Sequence, residues 1–562
     1  MTQHPLPSFA SRWSAVSALV ASAFLLAGCA SRPSAPQPLP APQSPLQVRL
    51  LALNDFHGNL KPPPGGFVDP VRRTPTPAGG AAHLATALAE ARAGQAHTAF
   101  VAAGDLIGAT PLLSALLHDE PTIEVLSRMG LDFSAMGNHE LDKGSAALLR
   151  LQGGGCDAKS GCQGPQPYKG AGFQYLAANT LVAATGRTLL PPYFIKRFDG
   201  VPVAFIGLTL KDTPSVVTPF GVAGLRFEDE ADTVNRLVPE LRKQGVEAIV
   251  VLMHEGGAGG GGIDECPNAS GTMLKLVPRF DKAVDVVISG HTHRAFNCRI
   301  DGRLVTSAGQ YGTLLTTIDL SIDRASRDVV QAVAKNEVVS HERFKADPAI
   351  AAQIATYERI VAPLAKRPVG KLTVALTRNV ERNGESAMGR VIADAQLQAT
   401  RDAGAQVALM NIGGVRSGLG ADGRLDMVYE DLFSVQPFYN QLVTLTLSGA
   451  QLLQLLEQQW QDGRSRPLQI SSTLRYQWDG RLPEGTRVLP GSVTVEGKPL
   501  NAAADYRVTV NAFLADGGDA FAVLRQGRDK RPGLVDIDAL EAYFKARPVF
   551  TPEAAPRAVR VD

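Results

Sequence analysis

Apolar segments that end in polar clusters limit the possible fold more than any other feature of this chain. The segments VRLLAL, TAFVAA, DFSAM, EAIVVLM and DVVIS each lead directly into such a cluster, and VAFIGL is a further apolar run. Residues 79–94 and 229–244, which lie between them, carry Ala and Leu at the i, i+3, i+4 spacing of a helix. Short apolar runs alternating with helical periodicity predict βαβ units with buried strands. The sequence therefore predicts an α/β fold of layered sheets and helices.

The polar clusters share one position, the carboxyl end of a predicted strand. They contain Asn54, Asp55, His57, Asp105, Asn138, His139, Glu140, His254, His291 and His293. Sites in open α/β sheets form outside the carboxyl ends of strands, so we expect these side chains to converge. One cluster alone is more typical of turn chemistry. Together they offer the carboxylate and imidazole ligands that Zn, Mn or Fe accept, which predicts a divalent metal site.

The motifs NDFHG, GD, GNHE, H and GHTH, in this order, resemble the calcineurin-like metallophosphoesterase pattern. From about residue 48 to 550 the chain resembles the 5'-nucleotidase family of bacterial UDP-sugar hydrolases and animal ecto-5'-nucleotidase. The resemblance implies a four-layer β-sandwich flanked by helices, with two divalent metal ions such as Zn or Mn as cofactors. It implies that Asp55, His57 and His293 hold one ion, that Asn138, His254 and His291 hold the other, and that Asp105 bridges them. His139 and Asp142 match the family's catalytic pair, whereas Glu140 is interpreted as a structural carboxylate.

Residues 381–395 and 411–418 resemble the family's segments that bind the nucleotide phosphate, and 436–440 and 511–521 resemble those that bind the nucleoside. The implied substrate-binding residues are Arg382, Arg390, Asn411, Gly413, Gly414, Arg416, Phe438, Asn440, Phe513 and Asp519. Surface charge is the alternative for Arg382 and Arg390, and core packing is the alternative for the two phenylalanines. Asp516 stands where a small residue is expected, so the base preference stays open.

Length predicts at least two domains, because 562 residues exceed what one hydrophobic core supports. We assign residues 47–344 to the metallophosphoesterase domain and 369–555 to an α/β substrate-binding domain. Residues 345–368 are predicted as a linker helix and hinge that breaks at Pro363 and Pro368.

The N-terminus has the layout of a secretory signal, with Arg12 before an apolar stretch from Trp13 to Leu26. The stretch ends in LAGC, which resembles the bacterial lipobox, so residues 1–28 are predicted as signal peptide and Cys29 as the lipidated residue. Residues 29–46 form a Pro-rich spacer. The expected location is the cell envelope, lipid-anchored at the outer membrane facing the periplasm, or periplasmic. An ordinary cleaved signal is the alternative.

The other four cysteines form an even set in an oxidising compartment. Cys156 and Cys162 share a Gly-rich insertion and are predicted to pair locally, which leaves Cys266 with Cys298. A zinc site of all four is the competing interpretation.

The charge is nearly balanced, with 56 basic and 54 acidic residues, so no basic surface for binding nucleic acid is predicted. The predicted function is hydrolysis of nucleoside 5'-monophosphates by a two-metal-activated water. Hydrolysis of UDP-sugars or other nucleotide pyrophosphates, or of 2',3'-cyclic nucleotides, is the alternative, and a non-catalytic envelope lipoprotein is a remote one. The sequence leaves open the preferred base, the metal and the oligomeric state.

Overall fold

The structure is a computed structural model that describes residues 44–420 and 423–562. The predicted signal peptide, Cys29 and most of the Pro-rich spacer lie outside these residues, so they stay predictions. Within the described ranges, no helix is both long and apolar enough to cross a membrane.

Two six-stranded sheets form the N-terminal half. The first sheet has the spatial order Val329–Val338, Leu314–Ile322, Leu46–Leu53, Thr98–Ala102, Phe133–Ala135 and Gln174–Leu176. The second has the order Ala295–Ile300, Arg303–Ala308, Val286–Ser289, Ala248–His254, Val201–Thr209 and Tyr193–Phe198. Four neighbouring strands in each sheet are parallel. The two antiparallel strands lie together at one edge of the first sheet and at opposite edges of the second. The carboxyl ends of each parallel set therefore meet at one edge of its sheet.

The strand Leu46–Leu53 shows how the layers are built. Leu50 and Ala52 pack between the two sheets, whereas Leu51 and Leu53 point to the opposite face, as the two-residue period of a strand requires. Helices Ala81–Arg92 and Glu120–Arg128 cover that outer face. Helix Glu230–Lys243 covers the outer face of the second sheet. The result is a helix–sheet–sheet–helix arrangement, which confirms the predicted α/β class.

The C-terminal half contains a five-stranded sheet with its own apolar core. Its order is Leu468–Ile470, Val407–Asn411, Asp505–Asn511, Gln441–Ser448 and Arg528–Val535. The main helices of this half are Ala387–Ala399, Tyr429–Val435, Gly449–Glu457 and Asp536–Lys545. Smaller sheets contain the strands Asp426–Val428, Pro368–Leu372 and Val549–Phe550, and Lys498–Pro499, Thr494–Val495, Leu474–Trp478 and Ala558–Arg560.

Helix Pro348–Ala365 connects the two halves. The Asp347 carboxylate caps it by accepting hydrogen bonds from the amides of Ala349 and Ile350. The predicted break at Pro363 is wrong, because the helix continues to Ala365. Pro363 lies in the last turn on the exposed side, where its missing N–H costs one backbone hydrogen bond and its ring meets solvent.

Both predicted cysteine pairs are bonded. The Cys156–Cys162 disulfide closes a short loop after helix Ser145–Gly153. The Cys266–Cys298 disulfide ties a loop to the strand Ala295–Ile300 of the second sheet.

Candidate active site

Seven side chains from the carboxyl ends of parallel strands meet in the N-terminal half. They are Asp55, His57, Asp105, Asn138, His254, His291 and His293, the residues predicted as metal ligands. The segments that carry them follow neighbouring strands of the two sheets, so the topology alone brings them together.

The first group consists of Asp55, His57 and His293. Nε2 of His57 lies 3.2 Å from Nε2 of His293, and the latter atom lies 3.2 Å from Oδ1 of Asp55. Asp55 and His57 are fully buried, whereas His293 is partly exposed. The group is therefore accessible from one side.

The second group consists of Asp105, Asn138, His254 and His291. Oδ1 of Asn138 lies 3.1 Å from Nε2 of His254 and 3.0 Å from Nδ1 of His291. Oδ2 of Asp105 lies 3.0 Å from Nε2 of His254 and 3.7 Å from Nε2 of His57, which belongs to the first group. Asp105 thus stands between the two groups, where a bridging ligand would stand.

The chemistry of these donor atoms fits divalent cations. Burial lowers the pKa of His57 well below its usual value, and its Nδ1 contacts the Gly108 carbonyl at 2.8 Å, so the proton belongs there and Nε2 keeps a lone pair. That lone pair faces other electron-rich atoms, namely Nε2 of His293 and Oδ2 of Asp105. Burial disfavours the charged form of His254, but Asp105 outweighs it, and the pKa of His254 rises to about 10. Imidazoles and carboxylates packed this closely suit Zn or Mn.

Backbone strain marks the same residues. The φ angles of Asp55, His57, Asp105, His291 and His293 are +50°, +46°, +51°, +71° and +57°. This left-handed conformation is unfavourable for residues other than glycine and persists where the surrounding structure enforces it, often at functional sites. Five of the seven candidate ligands therefore have a backbone conformation that is unfavourable by itself and that the surrounding structure maintains.

Glu140, to which the sequence assigned only a structural role, joins two of the ligand segments. Its Oε2 accepts hydrogen bonds from the amides of Gly137 and Asp105, at 2.7 and 3.0 Å, and its Oε1 accepts one from Leu106 at 2.8 Å. A Cβ atom at position 137 would collide with the Asp105 carboxylate. The carboxylate of Glu140 and the absence of a side chain at Gly137 together set the position of Asp105.

His139 and Asp142 form a pair beside the two groups. Nδ1 of His139 lies 2.8 Å from Oδ2 of Asp142, and the His139 ring centroid lies 5.0 Å from that of His57. Burial disfavours the imidazolium, but Asp142 and Asp105 outweigh it and raise the pKa of His139. Asp142 therefore holds the His139 ring in place, and the two carboxylates favour its protonated form, which is the form that a general acid needs.

Phe438 and Arg416 of the C-terminal half reach this site. The Phe438 ring lies 6.0 Å from the His139 ring at an interplanar angle of 23°, and the guanidinium carbon of Arg416 lies 6.0 Å from the Phe438 centroid. Phe513 packs so closely on Gly518 that a Cβ there would enter the ring. Both phenylalanines are half-buried, so neither belongs to the fully buried core.

A second polar group lies next to Phe513. Nδ2 of Asn411 donates to Oδ2 of Asp519 at 2.8 Å, and Nδ2 of Asn511 donates to Oδ1 of Asn411 at 3.1 Å. Gly413 lies beside Asn411, where an added Cβ would be 3.5 Å from the Asn411 amide nitrogen and 3.7 Å from Oδ2 of Asp519. Gly414 approaches Met410 so closely that a Cβ would collide with that side chain.

Arg382 and Arg390 have other neighbours. Arg382 is exposed and donates to the carbonyl of Asp562 at 3.0 Å. Arg390 is buried, with a guanidinium nitrogen 3.7 Å from Glu385. Among the described residues, neither arginine forms an ion pair or hydrogen bond with the seven candidate ligands or with His139.

Besides Arg416, a second arginine of the C-terminal half lies near this site: Arg378, which the sequence motifs do not predict. It donates to the Arg416 carbonyl at 2.9 Å, and its guanidinium lies against Tyr311, whose ring is 5.9 Å from that of His57. Its only sequence signal is its place four residues before Arg382, just outside the segment 381–395.

Asn440 is held through its backbone by Asp536, whose amide donates to the Asn440 carbonyl at 2.8 Å. Burial raises the pKa of the Asp536 carboxyl to about 8, and its Oδ2 has no hydrogen-bond partner among the described residues. Because the folded state binds this proton more tightly than the unfolded state, the contribution of Asp536 to the free energy of unfolding falls as the pH rises from about 4 to about 8.

We expect Asp536→Asn to remove this pH dependence. As the pH rises from 5 to 8, the melting temperature of the variant should increase relative to that of the wild type. The corresponding change in the free energy of unfolding is roughly 1–3 kcal/mol. Asp538→Asn, at an exposed position of the same helix, is the control and should show a much smaller trend, because burial contributes more than the Asp538 charge to the raised pKa of Asp536. Parallel melting curves for Asp536→Asn and wild type across this range would contradict the prediction.

Both halves of the chain are similar to known phosphoesterases and 5'-nucleotidases. Residues 48–295 match the calcineurin-like phosphoesterase family, and residues 368–526 match the 5'-nucleotidase C-terminal domain. Endonuclease YhcR of Bacillus subtilis is 31% identical over 509 residues, which cover 90% of this chain but 40% of that protein. A 5'-nucleotidase of Vibrio cholerae is 26% identical over 570 residues, with 94% of each chain covered. The solved structure of a 5'-nucleotidase precursor from Thermus thermophilus aligns with a TM-score of 0.77 at 27% identity, covering 92% of this chain and 100% of its own.

Proposed function

The chain belongs to the 5'-nucleotidase family of calcineurin-like phosphoesterases, and from that premise we propose that it hydrolyses nucleoside 5'-monophosphates to nucleoside and phosphate. The observation that carries the proposal is the contact between Phe438 and His139, with ring centroids 6.0 Å apart. A base stacked near Phe438 would bring its 5'-phosphate to His139 and the metal ligands. The two halves of the chain thus supply the two parts of one substrate site.

The proposed mechanism divides the work between cations and side chains. Two divalent cations held by the seven ligands would supply a water of lowered pKa and polarise the phosphoryl oxygens. His139, whose protonated form is favoured by Asp142 and Asp105, would stabilise the transferring phosphoryl group or protonate the leaving 5'-oxygen. Arg416 has two buried guanidinium nitrogens without a hydrogen-bond partner in the described part of the chain, so it can offer them to phosphate.

A second candidate is hydrolysis of nucleotide pyrophosphates or phosphodiesters. It is favoured by the name of the Bacillus relative, an endonuclease, and by the fact that metal-assisted attack on phosphorus leaves the choice of leaving group to the pocket. Purified, metal-supplemented protein should be assayed on AMP, a UDP-sugar and a 2',3'-cyclic nucleotide. We expect the highest kcat/KM for AMP, and a higher value for either other substrate would replace the first proposal by the second.

The stacking role of the two rings gives a specific prediction. Base stacking on an aromatic side chain is worth about 1–3 kcal/mol, so Phe438→Ala and Phe513→Ala should each raise KM for AMP by roughly 5- to 150-fold. Hydrolysis of p-nitrophenyl phosphate, which carries no nucleobase, should change little, because the metal ligands are intact.

Two measurements separate this role from packing. Phe194→Ala, which removes a partly exposed ring from the edge of the second sheet, is the control and should leave both reactions unchanged. A thermal melt of each variant reports its stability. Equal losses on both substrates together with a lowered melting temperature would show that Phe438 and Phe513 act only in packing.

A further inference from the structure

Tyr311 occupies an unusual position next to the first metal-ligand group. Its ring centroid lies 5.9 Å from that of His57 and 5.8 Å from that of His293, with both pairs edge to face. Its φ angle is +60°, a conformation that is strained for an aromatic residue. Neither the predicted ligand set nor the predicted catalytic pair accounts for this side chain.

The segment that carries Tyr311 is fastened to the segment that carries the ligands. The Tyr311 amide donates to the Asp55 carbonyl at 2.7 Å, and Nδ2 of Asn54 donates to the Gly309 carbonyl at 2.7 Å. Gly312 follows, where a Cβ would come within 2.9 Å of the Phe56 ring. These contacts maintain the strained conformation and hold the Tyr311 ring against the two imidazoles.

The other end of Tyr311 meets the C-terminal half. Its hydroxyl lies against the guanidinium of Arg378, which is half-buried and also donates to the Arg416 carbonyl. Tyr311 therefore contacts the metal-ligand group through its ring and Arg378 of the C-terminal half through its hydroxyl. Ordering a long cationic side chain costs rotamer entropy, and a fixed neighbour reduces the part of that cost that remains when a ligand binds.

We propose that Tyr311 is a positioning residue that directs the Arg378 guanidinium toward the substrate phosphate when the two halves of the chain are closed on each other. The inference rests on the proposed function, because it assumes that a phosphate group binds beside the first metal-ligand group. It adds a residue of the N-terminal half to the recognition of that phosphate by arginines of the C-terminal half. No bond is made or broken by Tyr311 itself.

Tyr311→Phe tests the proposal, because it keeps the ring and removes only the hydroxyl. A hydrogen bond to a charged group that is lost in this way corresponds to about a tenfold change in affinity. We expect KM for AMP to rise about tenfold with kcat within about twofold of the wild type, because the contact is made in both ground and transition states. Calorimetry with inorganic phosphate should show a similar loss of affinity.

Three comparisons make the result decisive. Tyr193→Phe removes a tyrosine hydroxyl that donates to Glu240 at the edge of the second sheet, and it should change neither KM nor phosphate affinity. Arg378→Lys should weaken phosphate binding at least as much as Tyr311→Phe. The double variant should be no weaker than Arg378→Lys alone, because Tyr311 acts through the guanidinium.

Additive losses in the double variant would overturn the proposal, as would an unchanged phosphate affinity in Tyr311→Phe. Metal content and melting temperature should equal those of the wild type, and a drop in either would assign Tyr311 to the stability of the ligand group instead. Phosphate binding is measured without any ester, so failure to hydrolyse AMP would count against the proposed function and leave this test intact.

Discussion

Asp105→Asn is expected to abolish phosphoester hydrolysis, down to the rate of a protein-free control. Asp105 stands between the two groups of ligands, with Oδ2 3.0 Å from His254 and 3.7 Å from His57. The amide keeps the shape of the side chain but loses the negative charge with which Asp105 would help to hold a cation in either group. The activity should therefore fall on every substrate, and metal analysis of the purified variant should find fewer than two ions per chain.

The control is Asp319→Asn, which removes a carboxylate from the same sheet where it pairs with Arg49 at the surface. This variant should keep its metal and its activity. If Asp105→Asn were as active as the wild type with a full metal complement, the assignment of a two-metal centre to this cluster would be wrong.

The second large effect is expected for His139→Ala. General acid catalysis typically contributes 10²–10⁴-fold, so kcat should fall by roughly that factor. The metal content should stay at the wild-type value, because Nδ1 of His139 is committed to Asp142 and the metal ligand from this segment is predicted to be Asn138. Atomic absorption on the same preparation that is used for kinetics checks both statements.

His139 lies close enough to His57 and Asp105 to be considered a ligand itself, and this variant decides the matter. Loss of metal from His139→Ala would contradict the division of roles between Asn138 and His139. His341→Ala is the matched control, because His341 stacks on His83 away from the cluster and should affect neither kcat nor metal.

The N-terminal half could be predicted in detail because a topological rule connects its sequence to its site. Parallel strands place their carboxyl ends at one edge, so a polar residue that follows a buried run has a predictable location. Asp55, Asp105 and His254 illustrate this, although up to 199 residues separate them (254 − 55). The role of Glu140 was less accessible, because its partners are backbone amides that carry no sequence signature.

The C-terminal half follows no comparable rule, and the predictions there were less complete. The motif resemblance selects Arg382, Arg390 and Arg416. Of these, Arg416 reaches the site, but the resemblance does not select Arg378. Its neighbour Tyr311 lies in the other half of the chain, so their contact depends on how the halves pack and not on any local pattern. Pro363 shows that a local rule can also fail. Proline usually ends a helix, but the helix continues past Pro363 to Ala365 because the proline ring lies on the exposed side of the last turn.

The anchoring of the ligand segments by Glu140 has a consequence for how the site is loaded. Its three backbone hydrogen bonds are made within the chain and need no cation as a partner. A cage assembled in advance takes up or releases an ion without refolding its walls. We therefore expect one divalent ion to replace another by simple exchange, so that the supply of ions around the protein, and not loop rearrangement, sets which ion occupies the centre.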